Sequence, residues 1–177
     1  ELNATTLASR CYESMFSGCT SLTTAPALPA TDLHEFCYAF MFSDCTSLNA
    51  APALNATTLA SMCYYNMFSG CTNLTHLDVS GFDTSVVTDM SYLFYGCEKL
   101  TRFTSKLSPD GRALIVDNVL RAVTSSGLTQ YTIPSSVQAI GEFAFFQCTN
   151  LKNVVIPSSV TELRNSAFFA RKGLTGI

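Results

Sequence analysis

Charge is scarce in this sequence. Ten Lys or Arg and 13 Asp or Glu occur among 177 residues, 13% of the chain against roughly a quarter in ordinary soluble domains. No dense Lys/Arg stripe can be assembled from so few bases, which excludes a nucleic-acid-binding surface. The charge is also unevenly placed: residues 1–100 hold nine acids and two bases (2 − 9 = −7), residues 101–177 four acids and eight bases (8 − 4 = +4). No run of about 18 apolar residues occurs, so no segment reads as a membrane-spanning helix. A basic start followed by an apolar core, the mark of a secretory leader, is missing too. There is no Cys-x-x-Cys, and His34 and His76 stand in unrelated places, which argues against a zinc site.

What is plentiful is repetition. "CYESMFSGCTSLTTAPALPAT" at 11–31 returns as "CYAFMFSDCTSLNAAPALNAT" at 37–57 and in part as "CYYNMFSGCTNL" at 63–74. Cys11, Cys37 and Cys63 recur at a 26-residue step, and the same step relates Cys19, Cys45, Cys71 and Cys97, then Phe16, Phe42, Phe68 and Phe94, then Leu22, Leu48, Leu74 and Leu100. After residue 128 the step becomes 23, carried by Ile133 and Ile156, Phe145 and Phe168, Leu151 and Leu174. Periods of this size mark solenoids, in which each unit buries its apolar face only against its neighbours. The sequence therefore predicts a single α/β solenoid over 1–177, with 26-residue repeats at 1–106 and 23-residue repeats at 128–177. "ELNATTLA" at the start aligns with "ALPATDLH" inside the next copy, so the chain reads as a fragment of a longer protein.

Within a copy, "LTHLDV" at 74–79 has the pattern of a short strand. The stripe Leu7, Cys11, Met15 and Cys19 recurs every four residues and predicts a short helix, stopped where Gly18, Gly70 and Gly96 tolerate a left-handed conformation. Residues 107–127 break the rhythm: "RALIV" and "VLRAV" flank Asp117-Asn118, which predicts a β-hairpin at the junction of the two repeat types.

"CTSLTTAPALPAT" with "CYxxMFxGC" resembles the BspA-like leucine-rich repeat proteins, and "IPSSVxxIGxxAFxxCxNLxxVxIP", matched by residues 133–157, resembles the treponemal-type leucine-rich repeat. The resemblance implies a right-handed coil with parallel strands on its concave face and short helices on its convex face. It also implies a secreted or surface-anchored adhesion protein whose partner is a host matrix or cell-surface protein, or a glycan. Ala30, Ala56 and Phe82 stand where ordinary leucine-rich repeats place an Asn, and Arg171 replaces the Cys expected from Cys148.

Eight cysteines suggest disulfides, but helices packed about 8–10 Å apart would hold them beyond the roughly 7 Å Cα limit, so free buried thiols filling a small apolar niche are expected. Asp78, Asp83 and Asp89 are spaced five and six apart, which fits no compact calcium loop. Serines and threonines repeat in columns, as structural fillers do, and no nucleophile, base and orienter converge. The chain is expected to be non-enzymatic, monomeric and without cofactor or metal. Tyr12, Tyr38 and Tyr64, with Tyr65, Tyr92 and Tyr95 nearby, read either as partner anchors or, more plainly, as packing between neighbouring copies. The strand positions that drift from the Thr- and Asn-rich template are His76, Asp78, Arg102, Gln130, Lys152 and Asn153. These are the candidate partner-binding residues. A spacer that presents a distal domain is the rival reading.

Overall fold

The 26-residue step of the sequence reappears as backbone pairing. Parallel bridges join Thr6 to Asp32, Asp32 to Thr58, Thr24 to Ala50 and Leu28 to Leu54, so each copy lies in register on the next. The computed structural model describes residues 2–78, 93, 97–104, 110–124, 126–146, 148–169 and 173–176. Phe82, Asp83, Asp89, Tyr92, Phe94, Tyr95, Gly96 and Arg171 lie outside them, as does the side chain of Arg102. The chain divides into two compact units, residues 1–100 and 101–177.

Among the described residues of the first unit the expected helices are not formed. Among the described residues the regular elements are strands alone, and residues 9–18, 35–44 and 61–70 are runs of turns. Positive φ recurs at Arg10, Tyr12, Ser14 and Gly18, at Phe36, Tyr38, Phe40 and Asp44, and at Met62, Asn66 and Gly70. The four-residue stripe is real, but left-handed corners at 36, 40 and 44 produce it in place of helical winding.

The hydrogen bonds show why this arrangement wins. Cys37, Ala39, Met41, Ser43 and Cys45 donate their N–H groups to the carbonyl three residues back at 3.0–3.1 Å. Phe36, Phe40, Phe42 and Asp44 donate instead to Ser61, Tyr65, Met67 and Ser69 of the next copy, at 2.7–3.4 Å. An α-helix keeps its backbone bonds to itself. This ladder directs every second one to the neighbouring copy and brings the copies to sheet-like spacing, about 4.8 Å.

Side chains then stack. Phe16, Phe42 and Phe68 form one row, with ring centroids 5.6 and 5.8 Å apart and planes within 7° of parallel. Tyr12, Tyr38 and Tyr64 form a second, at 5.9 and 6.1 Å. Phe42 and Phe68 are fully buried, and Tyr38 and Tyr64 nearly so, which makes the tyrosine column packing and not a partner anchor. Each buried ring contributes roughly 1.5–3 kcal/mol from apolar burial, with about 0.5–1.5 kcal/mol more for the ring pair.

All eight cysteines are free, six of them buried, Cys11 half-buried and Cys19 exposed. Helix spacing is not the reason, since among the described residues there are no helices to hold the columns apart. The thiols are engaged differently: Cys37, Cys45, Cys71 and Cys97 donate to the carbonyls of Ala8, Phe16, Phe42 and Phe68 in the preceding copy, at 3.0–3.1 Å. The column thus needs a small side chain that is also a donor. Burial pushes the thiols up from 9.0, Cys63 and Cys71 to about 12, with the neighbouring thiol of the column adding to the effect.

Strand β1 (His76–Asp78) belongs to the first unit and β2 (Arg102–Thr104) to the second. In the second unit, β3 (Ala113–Val116) and β4 (Val119–Val123) form an antiparallel hairpin, closed by Asp117 and Asn118 at φ 50° and 59°. Both turn residues being left-handed is the requirement of the tight turn that matches strand twist. Two parallel rows follow at the 23-residue step. Strand β6 (Ala139–Ile140) pairs with β4 and with β8 (Glu162–Leu163). Strand β5 (Gln130–Thr132) pairs with β7 (Asn153–Val155), and Asn153 bridges to Gly176. Ile115, Leu120, Val137, Ile140, Phe145, Cys148 and Val154 fill the core between them.

Candidate functional site

Alternation along β5 and β7 sets what faces outward. Tyr131 and Val154 are buried while Gln130, Thr132 and Val155 are exposed, as expected of strands with one covered face. Gln130 pairs in register with Asn153. The Lys152 N–H donates to the Thr129 carbonyl at 2.8 Å, and the Lys152 carbonyl accepts from the Thr175 N–H at 2.9 Å and from its hydroxyl at 3.1 Å. The backbone around Lys152 is therefore pinned on both sides, while its side chain stays exposed.

Next to this row lies a cavity of about 300 Å³, lined by Gly127, Thr129, Thr149, Asn150, Leu151, Lys152 and Gly173. It exists because Asn150 stands between two glycines, Gly127 and Gly173, at the 23-residue step on either side. In the first unit the same repeat position is Ser21, Ser47, Asn73 and Lys99. Two of these side chains are engaged: the Asn73 amide donates to the Thr46 backbone carbonyl at 2.8 Å, and the Lys99 ammonium donates to the Asn73 amide oxygen. Among the described residues no carboxylate and no aromatic ring lines the cavity.

Of the six residues singled out in the sequence, the structure brings three together: Gln130, Lys152 and Asn153 share the β5–β7 edge. His76, half-buried, and Asp78, exposed, flank the buried Leu77 on β1 in the other unit. Thr149, Asn150 and the two glycines were missed. Their signal was the glycine–asparagine–glycine column itself, which breaks with the Ser, Asn and Lys of the earlier copies. Among the described residues no three of His, Cys, Asp and Glu converge as metal ligands would, and no helix is long and apolar enough to cross a membrane. Burial also raises the Tyr131 phenol, with Asp110 and Cys148 adding to it and Arg112 opposing. Its hydroxyl has no hydrogen-bond partner among the described residues.

Comparison with known proteins agrees with the geometry. Residues 12–110 match the family described as a Mycoplasma protein of unknown function, DUF285, and residues 117–177 match the BspA type leucine rich repeat region (6 copies). Among solved structures, a leucine-rich repeat protein from Eubacterium ventriosum aligns over 93% of this chain and 52% of its own, at 18% identity and a TM-score of 0.52. A leucine rich cell surface protein from Faecalibacterium prausnitzii aligns over 93% and 49%, at 22% identity and a TM-score of 0.49. The chain thus spans about half the length of each. No curated protein matches it. With the DUF285 match covering more than half of the sequence, the chain belongs to that family, and it is a BspA-like leucine-rich repeat protein.

Proposed function

We propose that this protein is a non-enzymatic recognition module of a bacterial cell surface, binding a protein or glycan partner through its strand face. The observation that carries this reading is the β5–β7 edge, where Gln130, Lys152 and Asn153 gather beside a cavity whose polar lining is not consumed by the fold. In this reading the stacked copies wind as a right-handed solenoid, the strand rows form its concave side, and the protein acts as a monomer at the cell surface.

A spacer role is favoured by one observation on the first unit. Thr23, Thr24, Asn49, Ala50 and Thr75 are exposed, small and uncharged, as a surface with nothing to recognise would be. The two readings separate in a binding screen of the chain against matrix proteins, cell surfaces and glycans. Recognition predicts a partner that is lost in the Gln130→Ala, Lys152→Ala, Asn153→Ala triple variant at unchanged Tm. A spacer predicts no partner at all.

A further inference from the structure

Resting on that reading, we propose that the cavity at residues 149–152 takes an acidic sugar: a single ring bearing a carboxylate or a sulfate, at the end of or within a glycan chain. A volume of about 300 Å³ lies at the small end of ligand sites, enough for one sugar ring. Its lining offers an ammonium at Lys152, an amide at Asn150 and hydroxyls at Thr129 and Thr149. Among the described residues none of these side chains makes a hydrogen bond within the protein, in contrast to Asn73 and Lys99 one unit earlier.

The chemistry selects the ligand class. Among the described residues the lining holds one ammonium and no carboxylate, which favours a negative charge, since a charge-assisted hydrogen bond is roughly twice as strong as a neutral one. Residues 101–177, the unit that holds the cavity, carry eight bases and four acids (8 − 4 = +4), which attracts anions at longer range. The remaining groups both donate and accept, as ring hydroxyls require. Among the described residues of the lining there is no aromatic ring to stack a base and no carboxylate to bind a divalent cation, which disfavours both a nucleotide and a metal.

The test is calorimetric titration of the whole chain with three oligosaccharides of equal length: a uronic acid oligomer, a sulfated neutral-sugar oligomer and the unmodified neutral oligomer. The proposal expects either acidic oligomer to bind at least tenfold more tightly than the neutral one, which of the two binds better identifying the anion. Lys152→Gln should erase that preference. Gly173→Leu, at a glycine whose Cβ would meet nothing closer than 4.0 Å, should fill the cavity and abolish binding at unchanged Tm. Equal affinity for the neutral oligomer, binding indifferent to Gly173→Leu, or competition by polyglutamate at equal potency would each overturn the proposal. If no oligomer binds while the screen still finds a partner sensitive to Gln130, Lys152 and Asn153, the sugar assignment falls and the recognition reading stands.

Discussion

The rings of Phe16 and Phe42 lie 5.6 Å apart and within 3° of parallel, although they belong to successive copies of the repeat. Phe42 in turn stacks on Phe68 at 5.8 Å, so its ring is packed on both faces. Phe42→Ala should cost about 3–5 kcal/mol, as for other fully buried aromatics, and Phe16→Ala clearly less because Phe16 is only half-buried. Urea denaturation of the two variants measures the difference, and equal losses would mean the row is not shared.

Thiol chemistry should divide the cysteines. Cys19 is exposed and Cys11 half-buried, while Cys37, Cys45, Cys63, Cys71, Cys97 and Cys148 are buried, and burial raises Cys63 and Cys71 to about 12. Reactivity follows the thiolate, so a thiol reagent at pH 8 should modify Cys19 first, then Cys11, and reach the others only on unfolding. Mass spectrometry of partly labelled protein reads this directly.

Those same thiols predict alkaline sensitivity. A thiol at 9.0 when unfolded and about 12 when folded keeps its proton in the native state where the unfolded chain has lost it. The unfolded state then binds fewer protons, and stability falls as pH rises. Buried Tyr38, raised to about 12 from 10.0, acts in the same direction. Tm should be unaffected by these groups below pH 9 and decline between about pH 9 and 12. Replacing Cys63 and Cys71 by Ala should flatten that decline while lowering Tm at pH 7.

Two glycines at equivalent corners should respond unequally. Gly18 and Gly70 hold φ at +74° and +73°, a conformation that costs a non-glycine residue on the order of 1 kcal/mol. An added Cβ at Gly18 meets nothing within 4 Å, whereas at Gly70 it runs into the Asp44 carboxylate. Gly70→Ala should therefore lower Tm more than Gly18→Ala, and Asp44→Gly should remove most of the excess.

Much of this was legible because repetition is a long-range signal. The 26- and 23-residue steps give the pairing partners outright, from Thr6 with Asp32 to Gln130 with Asn153, and Asp117-Asn118 marks its hairpin turn by local chemistry alone. The turn runs were not legible. A stripe at Leu7, Cys11, Met15 and Cys19 satisfies a helix and a ladder of four-residue corners equally. What decides between them is a hydrogen bond to the next copy, such as Phe42 to Met67, which no local pattern encodes. The cavity is not legible for a related reason: it is made by what Gly127 and Gly173 leave out, and a missing side chain carries no chemical signal in a sequence.

The claim beneath all of this is that consecutive copies lie face to face in register. Proton NMR of the folded chain with selectively labelled phenylalanine tests it most directly. Cross-relaxation between the ring protons of Phe42 and those of both Phe16 and Phe68 is the predicted result, and its absence from either pair, with the protein folded, would contradict the account.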